Sequence, residues 1–160
     1  MARTPGYQIA EAVKNHLNDL ELTWPGADES CVRLRFERKH HLDWKVMDLE
    51  RGPRAAVIDR ESDTSMESRS HNRVVTMVDV VVGRKIASKG EKHIEEGDEV
   101  KQFAADIADR LDRLDLSSGT PAIPRLKFKN ATIGVHASPE RLREHSVLLS
   151  LVSLEFLEII

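Results

Sequence analysis

A single cysteine, Cys31, is all the thiol chemistry this chain has. No disulfide can form within it and no thiolate cluster can hold a metal, which suits a reducing interior. Aromatic residues are scarce too: one Tyr, two Trp and four Phe. The core must therefore be built mainly of Val, Leu and Ile, and a base-stacking platform for single-stranded nucleic acid is disfavoured. No run approaches the ~20 apolar residues of a membrane-spanning helix, and "MARTPGYQIAEAVKNHL" lacks the continuous apolar core of a signal peptide. These features place the chain inside the cell when it is made. Positive charge is not in excess either. A formal net charge of −3 argues against a general DNA or RNA binder, whose affinity rests on neutralising phosphates.

Signatures of catalysis are missing as well. There is no His-x-x-x-His or Cys-x-x-Cys pair, no Gly-x-Ser-x-Gly elbow, no phosphate loop and no dinucleotide fingerprint. His40 and His41 lie near Asp43, but adjacent residues of an extended chain point to opposite faces, so solvated loop histidines are the simpler reading. Cys31 opens a strand with no cationic helix end beside it, as an inert thiol would. "RLRFERKHH" groups Arg33, Arg35, Arg38 and Lys39 on a solvated strand face and turn; the sharper alternative is a contact for an acidic neighbouring subunit or for passing DNA. "HIEEGDE", residues 93 to 99, sets a histidine among four acids. Acids ahead of a helix are most simply partners of its dipole, with a metal-dependent enzyme or an adaptor domain using residues 91 to 99 as the alternative. Neither a cofactor nor a metal is expected.

What is present is a globular pattern. At 160 residues, 40 % apolar and 32 % charged, residues 1 to 160 make one domain with a core of its own. Ile9, Val13, Leu17 and Leu20 share a helical face, so residues 5 to 20 read as an amphipathic helix opened by Pro5 and Gly6. "CVRLRFE" alternates as a strand with one wet face. Residues 38 to 53 have no clean period, and "RAAVIDRES" is a second strand. "HNRVVTMVDVVVGRKI" is apolar on both parities, a strand covered on both faces, with residues 63 to 72 as the polar loop that leads into it. After the polar loop "ASKGEKHIEEGDE", Val100, Phe103, Ala104, Ile107, Leu111 and Leu114 keep helical spacing. "RLKFKNATIGVH" is extended, Ser138 and Pro139 open a short helix, and "SVLLSLVSLEFLEII" is a long terminal strand. The fold class is α+β: a mainly antiparallel sheet with two principal helices packed on one face.

Three stretches carry a family likeness. "QIAEAVKNHLND", "SRSHNRVVTMVDVVVGRKI" and "SPERLREHSVLLSLVSLEFLEI" together resemble the opening helix, the hairpin strand before the acidic loop, and the closing Pro-capped turn and strand of tail-terminator and neck (head–tail joining) proteins of long-tailed bacteriophages. The likeness implies a non-enzymatic ring, commonly hexameric, that caps the tail tube and joins it to the head; another neck or head-completion protein of the same connector is the near alternative. Its partners would be further copies of itself, the tail tube protein and connector proteins, with DNA only in transit and no membrane. Such a protein would be made in the host cytoplasm and end in the virion.

In such a ring the strand face not covered by helices would be buried between subunits, through Val75, Met77, Val81, Leu149, Leu151 and Leu157. The polar loop, with Asp63, Met66, Glu67 and Arg69, would reach an adjacent ring. Glu91, Glu95, Glu96 and Asp98 would face the lumen and repel phosphate.

Overall fold

The double-sided apolar pattern after His71 belongs, in the computed structural model, to the middle strand of one five-stranded sheet. Residues 3–24, 34–135 and 145–160 are described. They form α1 (Gly6–Asp19), β1 (Phe36–Lys39), α2 (Val46–Glu50), β2 (Arg54–Ser68), β3 (His71–Lys85), α3 (Glu91–Arg110), β4 (Lys127–Val135) and β5 (Val147–Ile159). The expected strand beginning at Cys31 is described only as β1, and the expected Ser138–Pro139 helix lies outside the described residues.

Sheet order is β1-β2-β3-β5-β4. Only β1 and β2 run parallel, over Phe36–Lys39 against Ala55–Ile58; the other three pairings are antiparallel. The centre of the sheet is therefore β3, and it is apolar towards both faces because α1 and α3 cover one and Trp44 and Leu49 cover the Lys85 end of the other. β5 follows it from Val147 against Lys85 to Ile159 against Arg73, and the ladder closes with reciprocal bonds between Asn72 and Ile160 at 2.7 and 2.9 Å. This is the α+β architecture expected: both principal helices on one face, and a long C-terminal strand.

On that face α1 brings Ile9, Val13 and Leu17, and α3 brings Val100, Phe103 and Ile107, onto Val57, Val78, Val80, Val152, Leu154 and Phe156. The few aromatics are concentrated there, with Trp24 and Phe103 ring centroids 4.9 Å apart and Phe36 6.5 Å from Phe103. Asn18 of α1 also completes the edge of β1: its side chain accepts from Phe36 N–H (2.8 Å) and donates to Phe36 O (3.1 Å), as a neighbouring strand would.

Residues 38 to 53, without a legible period, have a definite job. They cross the opposite face, where Trp44 and Leu49 form a second buried cluster with Ala56, Val81, Val147 and Leu149. Too few residues are involved for any periodicity to develop, because α2 is a single turn and a half held by Asp48 accepting the Lys45 N–H (3.0 Å).

Two expected loops are regular structure. Residues 63 to 72 are not a loop: β2 runs to Ser68, β3 begins at His71, and only Arg69 and Ser70 make the turn. Residues 91 to 99 are helical, because α3 starts at Glu91, well before its first core residue, Val100. The helix also stops at Arg110, earlier than its spacing suggests, and Leu111 and Leu114 reach the core from the turns that follow. Among the described residues no helix is long and apolar enough to cross a membrane.

Candidate assembly surfaces

Successive rows of side chains across the sheet face opposite the principal helices change character along the strands. At the Lys85 end, Gly83, Leu149, Ala56 and Val81 lie beneath Trp44 and Leu49, with Leu151 and Ile58 at the margin. The next row is polar. Asp79, 8 % exposed, accepts a hydrogen bond from the Ser153 hydroxyl (2.8 Å) and faces Arg60 Nε at 3.8 Å. Beyond it Met77 pairs with Glu155 and Val75 with Leu157, then Arg73 with Ile159. Val75, Met77 and Leu157 are half-buried and Ile159 is 36 % exposed. Arg73 Nε is buried there without a hydrogen-bond partner.

The six residues expected to meet a neighbouring subunit are thus divided. Val81 and Leu149 are 0 % exposed within a single chain and drop out as contact residues. Their cover is Trp44 and Leu49, which the aperiodic sequence around them concealed. Leu151 is half-covered by the same cluster. Val75, Met77 and Leu157 stay together on the open end of the face.

The hairpin of β2 and β3 carries the second group. Asp63, Met66, Glu67 and Arg69 are all exposed, Met66 at 79 %, but three of them are strand residues and only Arg69 is in the turn. β5 flanks β3 almost to the tip, so the hairpin projects little beyond the sheet. Its free side is the outer edge of β2, since β1 covers β2 only from Ala55 to Ile58.

The acidic group is held by α3 and is partly engaged. Glu96 Oε2 accepts the Ala87 N–H at 2.7 Å, closing the loop that enters the helix. Glu99 Oε2 accepts from Trp24 Nε1 (3.2 Å) and Arg84 Nη1 (3.1 Å), with the Arg84 guanidinium 5.9 Å from the Trp24 ring centre. Glu91, Glu95 and Asp98 remain exposed, as does Ile94 at 61 %. The notion of a freely turning acidic loop is therefore replaced by a rigid helical surface carrying three solvent-facing carboxylates.

His93 does not gather the acids around it, because its Nδ1 lies 2.6 Å from the Ala87 carbonyl oxygen and donates to it as the N–H tautomer. His40 Nδ1 sits 4.0 Å from Asp59 Oδ1. Among the described residues no group of three His, Cys, Asp or Glu side chains could hold a metal ion. Arg33 and Cys31 lie outside the described residues, whereas Arg38 is tied to Glu11 (2.8 Å) and Lys39 to Asp43 (2.7 Å). No protein-family model matches the chain, and no curated protein matches it either.

Proposed function

We propose that this protein is a structural component of a phage virion, whose copies form a ring that caps the tail tube of a long-tailed phage and joins it to the head. The observation that carries the reading is the unfinished end of the second sheet face. A chain able to cover Val81 and Leu149 with its own Trp44 leaves Val75, Met77, Leu157 and Ile159 without such a cover among the described residues, beside the unpartnered Arg73 Nε. An apolar strip and a buried orphan donor on the same surface suit a contact completed by assembly. The family likeness supplies the kind of assembly, a hexameric ring meeting tail tube and connector proteins. In it the Arg69–Ser70 turn is presented to an adjacent ring and the exposed carboxylates of α3 border the path of the DNA.

The test is the mass of the purified protein by light scattering or mass photometry, backed by negative-stain images. A closed ring gives a single species at about six times the 18.1 kDa chain, alone or on mixing with tail tubes. A protein that stays at one chain mass in both conditions refutes the ring.

A further inference from the structure

Among the described residues both edges of the sheet are open, and they are unlike. Beyond Ile58 the outer side of β2 has no strand beside it among the described residues, and β4 has none on its outer side. Unpaired strand edges are templates for another chain, and proteins that must stay single blunt them. Charged side chains are one such device, and here the two edges differ in charge beyond the first bulge of β2, where the exposed Arg60 faces Asp79. Asp63 and Glu67 are exposed on the free part of β2, and Lys127 and Lys129 are exposed on β4.

The acids of β2 between residues 61 and 68 and the lysines of β4 decide which edges can meet. Two copies joined β2 to β2, or β4 to β4, would set like charges side by side, which disfavours a two-fold dimer. Joining β2 to β4 sets acid against base. We infer that the free edge of β2 in one copy pairs with the edge of β4 in the next, making a head-to-tail β-sheet junction between copies of this chain. The inference rests on the ring reading above and names its lateral interface. A junction between two different edges leaves one edge of each kind free after every addition, so it propagates until it closes.

Strand direction and side-chain facing narrow the geometry. β2 and β5 run one way and β3 and β4 the other, so a neighbour turned about an axis along the strands meets β4 antiparallel. Two regular stretches of equal length are available, residues 61 to 66 of β2 and 130 to 135 of β4, each bounded by a bulge. Ser62, bonded to Thr76 at 3.0 Å, marks the helix side of β2, which Thr64 and Met66 share; Ala131 lies on the helix side of β4. Keeping the helix sides together sets Met66 opposite Ala131 and Thr64 opposite Ile133. Met66, 79 % exposed, then faces an open groove of about 600 Å³ between α3 and β4, lined by Ala108, Asp112, Phe128, Ala131 and Ile133. Ile133, itself 52 % exposed, is covered by the same junction. One step further along, Glu67 in the β2 bulge comes opposite Asn130, with Lys129 of the β4 bulge diagonal to it.

Disulfide trapping tests this directly. In a Cys31→Ser background, Glu67→Cys and Lys129→Cys are placed in the same chain, and the protein is oxidised mildly. Within one chain these positions are on opposite edges with β3 and β5 between them, too far apart for a disulfide, so any cross-link joins two copies. The expected result is a non-reducing ladder of multiples of 18.1 kDa ending at the ring, while either single-cysteine variant, with no thiol across the junction, stays at one chain mass. A charge exchange gives an independent reading. Glu67→Lys or Lys129→Glu alone should raise the concentration at which half the chains assemble roughly three- to tenfold, and the two changes together should restore it. Circular dichroism and melting of the dissociated chain control for folding. Rings of full mass with no ladder and no response to charge exchange would overturn the β2–β4 junction and leave the ring standing. A wild-type protein that never exceeds one chain mass would overturn both.

Discussion

Gly83 and Trp44 show how much of this protein rests on single positions. A Cβ at Gly83 would overlap Leu149 Cδ2 and come within 3.3 Å of the Leu148 carbonyl oxygen, and Leu149 cannot retreat because it is fully buried in the Trp44 cluster. Gly83→Ala is expected to cost about 1–3 kcal/mol by overpacking, read as a lower urea midpoint. Trp44→Ala removes the main cover of the same site and should cost about 3–5 kcal/mol. Trp44→Phe should cost far less, because the indole Nε1 is buried without a hydrogen-bond partner and its loss relieves an unsatisfied donor. An equal loss in both variants would show that volume alone matters there. Three surface carboxylates also act locally. Glu11 is held below its ordinary 4.5 chiefly by the Lys14 hydrogen bond, Asp43 below 3.8 by that from Lys39, and Asp115 below 3.8 by the Ser117 N–H. Each favours the folded state fully above its ordinary value and loses that contribution as pH falls through its lowered value. Stability should therefore fall as pH drops below the ordinary carboxylate range, and Glu11→Gln should make that fall shallower in urea titrations.

At the scale of elements, α3 combines two roles that pull apart under mutation. Its first three turns anchor the entering chain through Glu96 and Glu99, while Glu91, Glu95 and Asp98 face solvent. If the solvent-facing acids border the DNA path, Glu95→Lys with Asp98→Lys should slow genome ejection, because phosphate would be held where it is now repelled. Glu95 and Asp98 lie beyond the first turn of α3, where Glu91 is the acid, so the loss of helix-dipole stabilisation is small. Ring mass and melting temperature are followed alongside ejection rate. Slowed ejection from rings of normal mass supports the assignment; an unchanged rate leaves these acids as solvating charge. The β2–β3 hairpin shows a similar division: its inner side is locked to β5, whereas its outer edge is bulged, charged and unpaired.

For the whole molecule, the decisive contrast lies along one sheet face. Val81→Asp would bury an unpaired carboxylate under Trp44 and Leu49 and should unfold the single chain, with a loss above about 3 kcal/mol. Val75→Asp is on the same strand and the same face but at the open end, so the isolated chain should melt within about 1 kcal/mol of the parent. If the protein joins tails as proposed, what Val75→Asp should lose is that joining, scored as the fraction of particles with attached tails. A Val75→Asp chain that joins tails normally would remove the open face from the assembly surface, and one that fails to fold would make that face part of the monomer's own core.

The residues alone determined the α+β class, the amphipathic α1, the core half of α3 and the strands β3, β4 and β5, because each is long enough for its apolar spacing to repeat. Tertiary structure decided everything that depended on brief or polar segments. Trp44 and Leu49 lie in a stretch too short to show a period, so the cover they give to Val81 and Leu149 could not be read, and both valine and leucine looked available to a neighbour. Residues 63 to 68 and 91 to 99 read as loops because they are polar. A strand paired on one side and a helix whose first turns overhang the core need few apolar residues, since their backbone hydrogen bonds, not buried side chains, hold them. Which edge of the sheet lies beside which, and hence that acid stands on one and base on the other, is a property of strand order. No local pattern encodes that order, because it is set by which strands must be buried on both faces and which can end the sheet in water.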